Sequence, residues 1–147
     1  MMFPNKLRLL FLLFLSVNCV SSQSVFGTWK TIDDRTGIPK AIINIYEKDG
    51  LMYGIVEKIV EPGKENALCV KCDGEQKNKP VVGMTIIDGL EENEDGEWKG
   101  KTLFDPEQAM TFRCKIWLNP DNPDELKVRG YLAFLYRTQT WVRAEEG

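Results

Sequence analysis

In the stretch Glu97-Trp98-Lys99-Gly100-Lys101-Thr102-Leu103-Phe104, Asp105-Pro106-Glu107-Gln108, Ala109-Met110-Thr111-Phe112-Arg113-Cys114-Lys115-Ile116-Trp117-Leu118, polar and apolar residues alternate on both sides of a turn. Met110, Phe112, Cys114, Ile116 and Leu118 fall on one face, and Thr111, Arg113 and Lys115 on the other. Trp98, Gly100, Thr102 and Phe104 likewise oppose Glu97, Lys99 and Lys101. A period of two is the signature of a strand with one buried face, and Asp-Pro between two such runs marks a turn.

The same pattern recurs outward in both directions. Strands are expected at Val25–Asp33, Lys40–Glu47, Leu51–Val60, Val81–Asp88, Glu97–Phe104, Ala109–Leu118, Glu125–Leu135 and Arg137–Arg143. Lys48-Asp49-Gly50 and Asp95-Gly96 are hairpin signals, and Asn119-Pro120-Asp121-Asn122-Pro123 is almost entirely turn residues. The one long connection is Glu61–Pro80. No segment carries a sustained 3.6-residue apolar stripe, and no repeat or linker divides the chain. Eight strands in sequential order predict an all-β fold, an antiparallel up-and-down barrel, because closure removes exposed edges. Gly54, Gly83, Gly100 and Gly130 interrupt the strands, where a closing sheet needs bulges or bends. With so many large inward residues on a short chain, the interior is expected to be mostly filled.

Residues 1–22 read as a cleaved signal peptide. Lys6 and Arg8 precede the apolar run Leu9–Val17, and Val20 and Ser22 suit cleavage before Gln23. The run falls short of the roughly 20 residues of a membrane span. Ser16-Val17-Asn18 is also a poor approach to a lipidated Cys19. The remaining domain, residues 23–147, has no other run able to span a bilayer. Of the 147 residues, 125 then remain, and loss of two cations takes the formal charge from −3 to −5. That balance argues against nucleic acid or an anionic membrane surface as partner.

The chain contains no histidine, which excludes Ser-His-Asp and Cys-His nucleophile systems and histidine metal ligands. No base, nucleophile and orienting group can be assembled from the remaining residues, so catalysis and a cofactor are not expected. Export leaves Cys69, Cys72 and Cys114. Alternation buries Cys114 as an inert thiol. Cys69-Val70-Lys71-Cys72 admits three readings. A redox pair lacks a helix N-terminus to depress its thiol pKa, since Asp73-Gly74 follows. Zinc lacks a fourth ligand. A local disulfide pinning the long loop is the expectation in an oxidising compartment.

Strand order gathers Asp33, Asp34, Arg35, the cysteine loop, Asp105, Tyr136 and Arg137 at one end of the barrel. These residues are the candidate mouth, suited to a small amphipathic ligand or an envelope partner. The alternative is a structural or interaction domain with a filled core, ahead of an envelope enzyme or a CxxC redox protein. A solvated set of turns, such as Asp34-Arg35-Thr36-Gly37, explains the acids equally simply. The acids Glu91, Glu92, Glu94, Asp95 and Glu97 match no calcium loop and read as a solvated hairpin tip. Trp117 shares the face of Arg113 and Lys115 and is the best single candidate for a partner contact.

Gly27-Thr28-Trp29 on the first strand, with Arg143 on the last, resembles the lipocalin and calycin arrangement. There, Gly27, Trp29, Trp141 and Arg143 would form a barrel plug, the guanidinium covering the Trp29 ring. Across the whole exported chain, Ile45-Tyr46-Glu47, Tyr53-Gly54, Pro80-Val81-Val82-Gly83-Met84, Trp98-Lys99-Gly100-Lys101-Thr102, Lys127-Val128-Arg129-Gly130-Tyr131 and Arg137-Thr138-Gln139-Thr140-Trp141 resemble the bacterial domain of unknown function 2147 family. The resemblance implies an exported, lipocalin-like barrel of a Gram-negative bacterium with no established activity; a monomer, periplasmic or secreted, is expected.

Overall fold

The computed structural model describes residues 23–144. The expected signal peptide, with Cys19, and the last three residues lie outside them. Eight strands run in chain order: β1 (Gly27–Ile32), β2 (Pro39–Lys48), β3 (Leu51–Ile59), β4 (Thr85–Glu92), β5 (Trp98–Asp105), β6 (Met110–Asn119), β7 (Asn122–Leu132) and β8 (Leu135–Arg143). Each pairs antiparallel with the next, and β8 returns to β1, giving a closed barrel. One turn of 3₁₀-helix, Gly74–Gln76, interrupts the long connection. Among the described residues no helix is long and apolar enough to cross a membrane.

Burial follows the alternation read from the sequence over most of the strands, with two departures near the mouth end. Met110, read as inward, is exposed, and the bulge after Gly100 sets Leu103, not Thr102, opposite Phe112. Cys114 and Ile116 on β6, Leu126 and Val128 on β7 and Trp141 on β8 point inward and are buried. Their neighbours Arg113, Lys115, Lys127 and Arg129 point outward. The core adds Trp29, Ile43, Ile45, Met52, Ile87, Leu90 and Trp98, and no polar or charged residue is fully buried among the described residues.

Two glycines let the barrel close tightly. The ladder shifts register at Gly54 between β3 and β4, and after Gly100 between β5 and β6. At Gly54 a Cβ would stand 2.8 Å from Ile87 Cδ1, and at Gly100 it would stand 2.5 Å from Leu90 Cδ2. Side chains of β4 therefore lie directly on the backbone of both neighbouring strands. The interior has no room there even for a methyl group.

The differences from the expected strands that bear on the barrel ends fall in the fourth, seventh and eighth. The fourth strand was expected at Val81–Asp88, and it begins at Thr85. Gly83, at φ +95°, lies outside the strands, and Val81–Met84 turns past Val56 through Val56 N–H to Met84 O and Gly83 N–H to Val56 O bonds. The apolar composition is that of a strand, but its backbone is not. The seventh strand, expected at Glu125–Leu135, is Asn122–Leu132. The eighth begins at Leu135 and not at Arg137. The hairpin between them turns at Ala133-Phe134, with Ala133 at φ +54°, a conformation that alanine adopts at a cost and that turn chemistry usually assigns to glycine or asparagine.

Candidate functional site

An up-and-down barrel has two ends. The β2–β3, β4–β5 and β6–β7 hairpins form one, which the segment preceding β1 closes. Val25 is buried, and Phe26 meets Trp98 edge-on with ring centroids 5.3 Å apart. Trp29 is wholly buried beneath them and donates from Nε1 to Val25 O at 2.8 Å. The register pairs Trp29 with Arg143, whose guanidinium lies 4.2 Å over the indole ring. Arg143 Nη2 donates to Ser24 O and Pro123 O, and its Nε lies 3.5 Å from Asp124 Oδ1. Gly27, at φ +127°, leaves space beside Arg143 Nη1. Trp141 Nε1 donates to Gln139 Oε1. The hairpin tips at this end are polar and acidic: Glu47 and Asp49, then Glu91 to Glu97, then Asp121 and Asp124. Two open clefts, of about 640 and 630 Å³, indent this end outside the barrel interior. Glu97 is held below the usual carboxylate range by the Asn93 amide and by Lys115, 3.1 Å away.

The other end carries the four remaining connections, including the long one. Cys69 and Cys72 are joined by a disulfide and buried. Cys69 N–H donates to Lys79 O, and the Cys69 sulfur touches Pro106 O at 3.4 Å. The disulfide thus folds the connection inward as far as the β5–β6 turn. Lys71 and Val70 between the two cysteines remain exposed. Cys114 is a free, buried thiol whose pKa burial pushes up to about 12. For the chain from residue 23 onward, the expected thiol count is therefore zero in native protein and one after denaturation without reductant. Labelling with a thiol reagent in both conditions checks it, and three thiols would exclude the bridge.

The residues expected at the mouth separate into three groups. Asp34 and Arg137 come together: Arg137 Nε donates to Asp34 Oδ2 at 2.9 Å, and its Nη2 to Oδ1. This pair joins the β1–β2 turn to β8 at the barrel seam and holds Arg137 firmly protonated. Asp33 and Asp105 are occupied by turn backbone. Asp33 Oδ1 accepts from Arg35 N–H at 2.8 Å and from Thr36 N–H, which lowers its pKa. Asp105 Oδ1 accepts from Glu107 N–H. Arg35 is exposed, 3.9 Å from Asp33. Tyr136 stands on the outer wall, against Tyr131 and beneath Arg129. No cluster of three acids and cysteines placed to hold a metal occurs among the described residues.

Two features of this end were not read from the sequence. The exposed large apolar and aromatic side chains of the described residues gather here: Ile38, then Leu68, Val70 and Val82, then Met110, then Leu132, Phe134, Leu135 and Tyr136. Tyr46 is the exception. Phe134, at the β7–β8 tip, is 90% exposed. Below that tip runs a ladder of cations and rings. Arg113 lies 5.5 Å over Tyr131, Arg129 lies 4.4 Å over Tyr136 and 5.1 Å over Trp117, and Lys115 lies 4.8 Å over Trp117. Trp117, the residue singled out for a partner contact, is half-buried, with Lys115 and Arg129 over its ring. Alternation placed these residues outward. Only the register, which pairs Arg113 with Tyr131 and Tyr131 with Tyr136, brings them together.

The family model described as "Uncharacterized protein conserved in bacteria (DUF2147)" matches residues 27–143. Among solved structures, protein HP1028 of Helicobacter pylori, described as belonging to the lipocalin family, is similar with a TM-score of 0.69. Its identity is 16%, over 84% of each chain. No curated protein matches.

Proposed function

Because the chain belongs to the family of uncharacterised bacterial proteins DUF2147 and has a lipocalin-like barrel, we propose that it works by surface contact and not by holding a ligand deep inside the barrel. Residues 1–22 direct export and are removed, and residues 23–147 are the working domain, periplasmic or secreted in a Gram-negative bacterium. Its activity is binding without catalysis. The mouth end, where Arg35 and Tyr136 are exposed and the Asp34–Arg137 pair pins the rim, meets a partner in the cell envelope.

One observation carries this reading. The interior is packed against bare backbone at Gly54 and Gly100, while exposed apolar side chains concentrate on the mouth end. A lipocalin that encloses its ligand would have the reverse distribution, an apolar void within and a polar rim. The buried disulfide supports export, since such bridges persist in oxidising compartments.

A photoreactive residue at position 135, compared with one at position 94 on the opposite end, tests the interface in living cells. Adducts are expected from 135 and not from 94. Adducts from 94 alone, or none from 135, would overturn the assignment. Retention of a small molecule by natively purified protein in mass spectrometry would return the activity to the barrel interior.

A further inference from the structure

We propose that the β7–β8 tip and the outer wall beneath it dock the protein onto an anionic lipid bilayer surface. The proposal rests on the mouth-end interface argued above and specifies what that interface meets.

The first ground is the tip itself. Hairpins at the acidic end turn through Asp49-Gly50 or through Asn119, Asp121 and Asn122, residues that turn chemistry favours. The β7–β8 hairpin turns through Ala133-Phe134 instead, with Ala133 strained at φ +54° and Leu132, Phe134 and Leu135 all exposed. Turn formation does not account for these side chains. They contribute little to the barrel core, and in water they are a cost.

The second ground is the order of residues below the tip. The register sets successive outward rows across β6, β7 and β8. Arg113, Tyr131 and Tyr136 come first, then Lys115, Arg129 and Thr138, then Trp117, Lys127 and Thr140. At about 3.3 Å per residue, the phenolic and cationic rows follow the apolar tip by one to three steps. Amphipathic elements bury about 5–10 Å into the headgroup and acyl boundary, with aromatic rings and cations at headgroup level. Apolar tip, tyrosines, then cations is that sequence of environments. A partner protein imposes no such layering.

The third ground is charge. Among the described residues no carboxylate pairs with Arg113 or Arg129. Arg129 is oriented by its Nε donating to Thr138 Oγ1 at 2.8 Å and is flanked by the Trp117 and Tyr136 rings. Its remaining donors are positioned for a phosphate oxygen. The net negative charge of the chain, which argues against an anionic surface, is an average. The far-end hairpin segments 47–49, 91–97 and 121–125 hold ten acids and a single lysine. Mouth-end acids such as Asp34, Glu61 and Glu107 are instead paired with Arg137, Lys64 and Lys40, so a tip-down orientation directs the unbalanced negative charge away from the lipid.

Co-sedimentation of the purified protein with vesicles tests the proposal, using phosphatidylglycerol and phosphatidylcholine in equal parts against phosphatidylcholine alone. Binding is expected to the first, weakening as salt is raised. Phe134→Ser should weaken it about tenfold, the effect of losing one inserted aromatic side chain. Arg113→Gln combined with Arg129→Gln should abolish the preference for the anionic vesicle. Both variants are surface changes, and circular dichroism should show an unaltered fold. No binding, equal binding to both vesicles, or full binding by Phe134→Ser would overturn the proposal. A dimer dispersed by Phe134→Ser in sedimentation velocity would assign the tip to a second copy and overturn it equally. If vesicles fail while position 135 still yields protein adducts in cells, the interface stands and its occupant is a protein. If both fail, the interface falls too.

Discussion

Trp29→Ala should lower unfolding stability by about 3–5 kcal/mol, the range for truncating a fully buried aromatic residue. Against a total of about 5–15 kcal/mol for an ordinary domain, that leaves a barrel close to unfolding. Three losses coincide at this position. The indole is wholly buried at the meeting of β1 and β8, its Nε1 satisfies Val25 O, and its face supports the Arg143 guanidinium. Arg143 Nε is already buried without a hydrogen-bond partner, so removing the ring leaves the cation with only its links to Ser24, Pro123 and Asp124. Trp29→Phe keeps an aromatic face for Arg143 but loses the pyrrole half of the indole and its hydrogen bond, and should cost less. Trp117→Ala is the control on the outer wall, where the ring is only half-buried. Urea unfolding of the three variants measures the differences. A Trp29→Ala cost no larger than that of Trp117→Ala would show that the end closure does not depend on this residue.

The second large effect is expected where the sequence has no side chain at all. Gly54→Ala introduces a Cβ that would lie 2.8 to 3.1 Å from three atoms of Ile87, a residue with no exposed surface and no space to retreat. Overpacking of this kind costs about 1–3 kcal/mol. Ile87→Ala alone should cost about 2–5 kcal/mol by leaving a void. Because the added methyl group occupies the space the other change vacates, the double variant should be more stable than the two separate losses predict. Strict additivity would mean that the two side chains do not share the space. Gly130→Ala provides the contrast: its Cβ would meet Phe112 and Leu103 at 3.7 to 3.8 Å, ordinary contact, and should change stability by only about 0.5 kcal/mol.

Much of this fold was legible because the chemistry was local. The alternation from Phe112 to Leu118 gave the inward face of β6 directly, though Met110, read on the same face, is exposed; Asp49-Gly50 located a hairpin whose φ values are both positive. Reading failed where composition and backbone disagree. Val81-Val82-Gly83-Met84 has the residues of a strand and the course of a turn. Ala133-Phe134 has none of the usual turn residues and makes the tightest hairpin at the mouth end. The candidate site was less legible for a different reason. Period-two patterning assigns a face but not a register, so Arg129 and Trp117 could be placed outward without the knowledge that they stack. Of the six mouth residues chosen, Asp34 and Arg137 meet across 103 positions of sequence, which only closure of the barrel brings about. Asp33 and Asp105 were chosen as charged groups, and the turns that explain them also occupy them.

The joint between the first and last strands has a consequence for how the chain finds this shape. Seven of the eight strand pairings link neighbours in sequence, and most of those follow a short hairpin. The eighth registers Trp29 with Arg143 and Lys30 with Val142 and is the shortest ladder in the barrel. Hairpins close quickly, whereas joining the two extremes of a chain pays the loop entropy of everything between them. Loop entropy therefore favours assembly as a ribbon growing strand by strand, with ring closure expected last and Trp29 expected to pass from water to interior as the ring completes. The same joint is the expected site of first thermal opening, and it carries a clasp at each end: Trp29 under Arg143 at the acidic end and Asp34 with Arg137 at the mouth.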